Sequence, residues 1–560
     1  MDKFAIESVR KDVLGNNVLF NTPFGERHLL YADYTASGRG VSSIEEKIIN
    51  ILRSYANTHT EDAYSGKHLT NLLHKAEENM KRFVNAGDHG KIIATGSGTT
   101  GALKKLQEIL GIYLPPVTKE KIFNSVSESG EFCQRTLERI EKDRPVVFIG
   151  PYEHHTNELM WREAFVEVVK IGLDQHGLID IKNLEDRLSD PKYESRQKMS
   201  SFSAGSNITG IKTDVYDIAR ICHEHNSLVF FDFAAIAPYV EINMNRDDRA
   251  YFDAIFFSPH KFLGGPGSSG VLVFNERIYR QDLPPTTAGG GTVIYVGFNT
   301  HNFSNDIETR EKAGTPPILQ TIKASLAMEL KENIGIKVIE KIENRYKKYF
   351  IKELENIKNL EIIGSVPPEH RVPIVSFNIL HNEKKLHPQL VTKLMSDLFG
   401  IQSRGGCSCA GPYGHILLDI DQERSLKMRN FILKGYEGFK AGWVRLNVHY
   451  IMTVEDVEYI LRAIKFIACS GHLFLKKYAF NVKTGEWTCI GFKEETDFSV
   501  DEDIVLKTVE ISKLQNLRES YIKKAEALAS ELKKEKDPIF ARDSEKIEEI
   551  KFFDYVNKAH

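Results

Sequence analysis

An α/β fold on a mainly parallel sheet, covered by helices on both faces, is what this sequence predicts. Between about residues 90 and 275, short continuous apolar runs of strand length alternate with stretches of helical spacing, the pattern of strands buried on both sides. Polar, distinctive residues follow immediately after several of those runs, where ligands sit in such sheets. With 560 residues, 41% hydrophobic and 27% charged, the chain has the balance of an ordinary soluble globular protein. At roughly 100–200 residues per domain, two to four domains are expected.

The predicted strands, in order, are KIIAT (91–95), VVFIG (146–150), VEVVKI (166–171), SSFS (200–203), LVFFD (228–232), AIFFS (254–258) and GVLVF (270–274). Helical spacing lies between them, as in Val215, Ile218, Ala219 and Cys222. The segment 112–144 reads as a partly polar helical insertion. From about residue 330, Lys- and Glu-rich helices lead to VPIVSFNIL (372–380), a Gly/Cys-rich loop (404–414) and a strand-like stretch at 442–449, together a smaller α+β domain. The last 60 residues hold 12 Lys+Arg and 14 Asp+Glu, and 503–534 are good helix formers, so a solvated helix or helical hairpin is expected there.

Charge and composition exclude several classes. A count of 74 Lys+Arg against 77 Asp+Glu leaves −3, too little for a whole-protein grip on nucleic acid. No stretch approaches the roughly 18 consecutive apolar residues of a membrane helix. The opening MDKFAIESVRKD has no apolar signal core, and six cysteines do not make a disulfide framework. The expectation is a cytoplasmic enzyme with reduced thiols, binding neither nucleic acid nor membrane.

Five strand ends carry candidate ligands: Gly96–Gly101 (GSGTTG), Glu153–Asn157 (EHHTN), Gly205-Ser206-Asn207, Asp232, and Ser258-Pro259-His260-Lys261. In the first, glycines allow close backbone approach, and amides at a helix start together with two threonine hydroxyls suit a phosphate. No Gly-Lys-Ser/Thr follows, so this is not a Walker loop, and taken alone a plain strand–helix turn explains it equally well. Asp232 ends an apolar strand, where a carboxylate is costly unless paired with a cation. Lys261, before the loop GGPG (264–267), is a potential Schiff-base amine. A lysine of this kind, an Asp facing a pyridinium nitrogen and a phosphate loop together make the arrangement that binds pyridoxal phosphate (PLP). Singly, a surface lysine and a helix-capping Asp would be the blander readings.

These residues resemble the class V aminotransferase group of PLP enzymes and, within it, the cysteine desulfurase/selenocysteine lyase branch. The resemblance spans roughly residues 28–468. It rests on YADYTASG (31–38), YANTH (55–59), GSGTTGAL (96–103), EHHTN, GSNITG (205–210), FFDFAA (230–235), FFSPHKFLGGPGSSGVLV (256–273), GGGTV (289–293), EKAGTPP (311–317), RGGCSCAGP (404–412) and VRLNVHY (444–450), in the family's order and approximate spacing. It implies PLP-dependent transferase fold type I (aspartate aminotransferase-like), with a large PLP-binding domain (31–325) and a smaller α+β domain (326–470). An N-terminal segment (1–30) and a charged, mostly helical extension (471–560) flank them, and neither that extension nor the 112–144 insertion has a counterpart in the compact family members. It also implies a homodimer, a small amino-acid substrate and a sulfur-acceptor protein.

Site roles follow from the same resemblance. Lys261 carries PLP as a Schiff base and Asp232 pairs with its ring nitrogen. His154 stacks on the ring, and Asn207 reaches the ring oxygen or the substrate. Gly98, Thr99, Thr100, Ser258 and His260 hold the phosphate, with Thr315 contributed by the neighbouring subunit. Arg445 clamps the substrate carboxylate, a bidentate task suited to guanidinium, while His59 and Arg404 lie near the substrate. Cys409 aligns with the nucleophile that takes the sulfur of L-cysteine as a persulfide, leaving alanine.

Two departures from the family pattern stand out. Cys407 precedes Cys409 in a Cys-Ser-Cys run, a pair able to carry a persulfide-to-disulfide step; a zinc site would need a second ligand pair, and none is evident. Ala235 stands where desulfurases commonly have Gln. Other class V reactions (transamination, epimerisation, elimination) therefore stay open, as does a non-catalytic sulfur carrier of the same fold.

Overall fold

The computed structural model describes residues 3–58, 60, 62–127, 131–364, 366–493 and 506–556. Its internal contacts divide it into two compact units. One comprises Ser37–Ser206 and Ile211–Glu340; the other gathers Asp2–Ala36, Asn207–Gly210 and Lys341–His560. Among the described residues no helix is long and apolar enough to cross a membrane.

The first unit is organised by a seven-stranded sheet. Its strands are β1 (Gly90–Thr95), β2 (Val146–Ile149), β3 (Glu167–Lys170), β4 (Lys198–Ser203), β5 (Ser227–Asp232), β6 (Ala254–Phe257) and β7 (Gly270–Asn275). They lie in the order β1-β7-β6-β5-β4-β2-β3. β3, β2, β4, β5 and β6 pair in parallel, and β7 runs antiparallel to both β6 and β1. All seven apolar runs read from the sequence are strands of this sheet. Every side chain of β2 and β6 is fully buried, as strands covered on both faces require. Each large apolar side chain so buried contributes about 1.5–3 kcal/mol.

The covering helices obey the same hydrophobic pattern. Helix Thr99–Ile109 buries Ala102, Leu103 and Leu106 in a core cluster with Trp161, Phe230 and Phe256. Helix Val215–Glu224 buries Val215, Ile218, Ala219 and Cys222, the positions marked by helical spacing. The 112–144 segment forms helices Pro116–Ser127 and Glu131–Asp143. Glycine is required where β7 begins: a Cβ at Gly270 would lie 2.2 Å from the Gly98 carbonyl oxygen and 2.7 Å from that of Thr95. The loop after β1 can approach β7 this closely only because Gly270 has no side chain.

The second unit holds an antiparallel sheet of β8 (Leu360–Ile362), β9 (Ile374–His381), β10 (Arg404–Gly406) and β11 (Trp443–Asn447), in the order β8-β9-β11-β10, with Lys384–Lys385 added on β9. Distant segments complete it. Leu30–Tyr31 pair in parallel with Ile401–Gln402, and Val18–Leu19 pair with Lys507–Thr508.

The expectation of a solvated helix over 503–534 is corrected by the structure. Helix Leu514–Leu532 buries Arg518, Tyr521, Ile522, Ala525, Ala529 and Leu532. Arg27 lies over the Tyr521 ring, and Arg518 pairs with Asp456 at 2.7 Å. An apolar stripe with two cation contacts seats one face of this charged helix. The end of the chain also supplies aromatic core. Phe553, fully buried, packs against His387, Phe439 and Phe480 at ring-centroid distances of 4.4, 5.9 and 5.1 Å. Phe553→Ala is expected to destabilise this unit by about 3–5 kcal/mol, read as a lower urea midpoint; an unchanged midpoint would show the cluster to be ornamental.

Candidate active site

In the first unit the carboxyl ends of β1, β5 and β6 bring the expected residues to one edge of the sheet. Ser258 follows β6 directly and precedes a short turn, Pro259–Lys261, that carries His260 and Lys261. Its hydroxyl accepts from the Thr99 amide at 2.9 Å and lies 2.7 Å from the Thr99 hydroxyl, tying the loop after β1 to the lysine turn. Gly98 leaves a hollow between them: a Cβ there would lie 3.0 Å from Ser258 Oγ and 3.6 Å from His260 Nε2. Thr100 is linked to Thr156 through their hydroxyls, 2.9 Å apart. The His260 carbonyl accepts from the Gly38 amide at 2.8 Å and from Ser37 Oγ at 3.1 Å. Burial, reinforced by the Lys261 charge, pulls the His260 imidazole down to about 4, so it is neutral near pH 7.

A cavity of about 1030 Å³ opens beside this loop. Gly96, Ser97, His260 and Thr315 line it. Thr315 is exposed, and its hydroxyl accepts from the Asn57 side-chain amide at 3.0 Å. His59, two residues further on, lies outside the described residues.

Asp232 ends β5 with its side chain buried. Burial raises its carboxyl to about 6, against the opposing pull of the Ala234 amide (2.8 Å) and the Lys261 charge. Two strands away, buried Glu153 is raised to about 7, chiefly by burial and also by the Asp232 charge. It accepts from the amides of Gly150 and Ser203, the Ser203 hydroxyl and the Asn157 amide. Ser203 is the register partner of Asp232, so this network braces the strand end that presents the aspartate. His154, next in sequence, caps helix His155–Glu163 by accepting the Thr156 amide at Nδ1, 3.2 Å away. An imidazole accepting at Nδ1 in its neutral form carries its proton on Nε2.

Asn207, Arg404, Cys407, Cys409 and Arg445 belong to the second unit. Arg404 on β10 and Arg445 on β11 are register partners, which sets two like charges side by side. Asp33 resolves the conflict: Oδ1 accepts from Arg445 at 2.9 Å and Oδ2 from Arg404 at 2.8 Å. Main-chain bonds place Asp33, because the Ala32 amide donates to Gln402 and the Ala32 carbonyl accepts from Asn447. Arg445 is almost wholly buried, and burial lowers its pKa while Asp33 holds it up. It also donates to the Asn207 carbonyl at 3.2 Å, and the Asn207 side-chain amide donates to the Ser408 carbonyl at 2.7 Å.

The cysteines lie on a tight turn hung from the end of β10. Ser408 and Cys409 both have left-handed backbone, φ +51° and +55°, and the Ala410 amide donates to the Cys407 carbonyl at 3.4 Å. Two successive left-handed residues closed by such a bond have the geometry of a type I′ turn, normally built from Gly or Asn. Each non-glycine residue held there costs about 1–2 kcal/mol. Cys409 is exposed and Cys407 half-buried. Sequence reasoning did not single out Asp33, Glu153 or Asn57 as site residues, although each stands inside a motif that it did single out.

The family described as aminotransferase class-V matches residues 116–460. A probable cysteine desulfurase of Halalkalibacterium halodurans is 26% identical over 389 residues, covering 69% of this chain and 84% of that protein. One from Staphylococcus aureus strain COL is 27% identical over 450 residues, covering 78% and 92%. Among solved structures, an apo cysteine desulfurase of Thermococcus onnurineus NA1 superposes with a TM-score of 0.63 at 22% identity, covering 83% of this chain and 98% of that one. The cysteine desulfurase CsdA of Escherichia coli gives 0.60 at 20% identity, covering 82% and 97%. These structures share the fold, PLP-dependent transferase type I. The chain belongs to the class-V aminotransferase family of PLP-dependent enzymes, on its cysteine desulfurase-like branch.

Proposed function

We propose that this protein is a cysteine desulfurase that converts L-cysteine to alanine and takes the sulfur onto Cys409 as a persulfide, using PLP carried by Lys261. The observation that carries the reading is the fully buried Asp232 carboxylate at a strand end in the same unit as Lys261. Such a group is costly to ionise without a cationic partner, and a protonated pyridine nitrogen is one. Gly98 keeps a side chain away from Ser258 Oγ and His260 Nε2, which leaves the approach to both groups clear, as a phosphate held there would need.

When bound, PLP acts as an electron sink for negative charge developing at the substrate Cα. The chain's own groups do the rest. The Thr99, Thr100 and Ser258 hydroxyls and neutral His260 would hold the phosphate, and Asp232 would keep the ring nitrogen protonated. His154, oriented by its bond from the Thr156 amide, would pack against the ring. Lys261 Nζ moves the Cα proton. Arg445 receives the substrate carboxylate, taking it in the place that Asp33 fills here. Asn207 links that arginine to the cysteine turn. The Cys409 thiolate attacks the substrate sulfur: its S–S bond forms as the substrate C–S bond breaks, and protonation of the carbon yields alanine.

Thr315 is proposed to serve the neighbouring subunit's phosphate, which requires a homodimer. The hairpin Val293–Val296/His301–Phe303 supports this, because it exposes Ile294, Tyr295, Val296 and Phe298, more apolar surface than a free hairpin keeps in water. Cytoplasmic residence and a protein sulfur acceptor belong to the same proposal, supported by the free thiols of Cys222, Cys407, Cys409, Cys469 and Cys489.

Cys409→Ser in the PLP-loaded protein is expected to abolish alanine and sulfide formation from L-cysteine; unchanged production of both, or transamination independent of Cys409, would end this reading. Arg445→Lys loses the bidentate grip, and a charged hydrogen bond worth about 1.5–3 kcal/mol corresponds to a KM for cysteine raised roughly ten- to a hundredfold. The Asp232 carboxylate is ionised above about 6 and protonates below it. PLP affinity of the apoprotein, titrated by absorbance, is therefore expected to fall about tenfold per pH unit below that value. Asp232→Asn should remove this step; a step that persists in the variant belongs to another group.

A further inference from the structure

We propose that Cys407 is a resolving thiol, which discharges a persulfide on Cys409 as sulfide and leaves a Cys407–Cys409 disulfide. The inference rests on the desulfurase reading only for how sulfur reaches Cys409.

The turn carries the argument. In an extended Cys-x-Cys the two Cα atoms stand about 7 Å apart, beyond what a disulfide spans. The left-handed conformation of Ser408 shortens that separation to about 5.4 Å, the chord of a helical bend, inside the disulfide range. The bend is held from both sides. Before it, β10 pairs Gly406 with Trp443, and a Cβ on Gly442 would meet the Gly406 carbonyl carbon at 2.7 Å. After it, Ala410 is fully buried at the start of helix Gly411–Leu417. In the middle, the Asn207 amide holds the Ser408 carbonyl. A backbone that glycine or asparagine would adopt more easily is thus imposed on serine and cysteine, and its effect is to bring the Cα atoms of the two cysteines within the separation a disulfide spans. A lone sulfur carrier would need no such bend.

The step balances. The Cys407 thiolate attacks Sγ of the Cys409 persulfide; the new S–S bond forms, the old one breaks, and the outer sulfur leaves as hydrosulfide. The Cys407 sulfur is oxidised as the outer sulfur is reduced, and Cys409 Sγ stays in an S–S bond throughout. A dithiol reductant then returns both thiols, so sulfide release becomes single-turnover without one. Persulfide left on Cys409 would instead await an acceptor.

The test follows the sulfur by alkylation and peptide mass spectrometry. The PLP-loaded protein is given L-cysteine without reductant, and a second sample is loaded with inorganic polysulfide, which persulfidates Cys409 without C–S cleavage. In both, Cys407 and Cys409 should resist alkylation until dithiothreitol is added, with sulfide released in stoichiometric amount. Cys407→Ser should lose the disulfide and keep the extra sulfur on Cys409. Persulfide persisting on Cys409 of the unaltered protein beside freely alkylated Cys407 would overturn the proposal. If the disulfide forms with polysulfide but L-cysteine yields no alanine, the resolving role stands and the desulfurase reading fails.

Discussion

A carboxylate buried at the end of a fully covered strand is the constraint around which the first unit is arranged. Asp232 sits where solvent cannot stabilise its charge, and burial alone would favour its neutral form. A parallel sheet aims the ends of several strands at one edge, so the groups gathered there come from segments far apart in the chain. Lys261 arrives from the turn after β6, the threonine loop from the end of β1, and the Glu153 network from the end of β2. The antiparallel β7 locks the arrangement, because the Gly98 carbonyl can come close to it only at Gly270.

The second unit solves a different electrostatic problem. Two arginines stand opposite one another on neighbouring strands, and one carboxylate, Asp33, accepts from both. Breaking that contact on one side leaves a guanidinium with a desolvated charge, which a substrate carboxylate of the same chemistry can answer. Through Asn207 the same arginine is connected to the turn that presents the thiols. One hydrogen-bonded path therefore runs from the paired arginines to the cysteine turn.

Much of this was legible in the sequence. Most of the seven runs are apolar enough to stand out, although SSFS and VEVVKI carry polar residues, and each overlaps a strand of the sheet. The strand-end motifs were visible because Gly, Thr, His and Lys are unusual neighbours for a buried strand. The C-terminal segment was misjudged for the opposite reason. In Leu514–Leu532 the buried stripe includes Arg518, Tyr521 and small alanines, so average charge outweighs the pattern. Phe553 and Phe480 are too widely spaced for any local period to connect them. Asp33 escaped notice as a partner because its arginines lie some 370 and 410 residues downstream, a separation no spacing rule spans. The left-handed backbone at Ser408 and Cys409 goes against the preference of both residues, so only the folded chain reveals it.

The pairing of Leu30–Tyr31 with Ile401–Gln402, and of Val18–Leu19 with Lys507–Thr508, has a temporal side. On a ribosome adding about 5–20 residues per second, the nascent amino-terminal strands wait on the order of 20–70 s before the first of these partners emerges. Meanwhile the whole intervening sheet can mature. These early strands are thus among the last to find their full set of partners, and the edge they present meanwhile is one that cellular chaperones would meet.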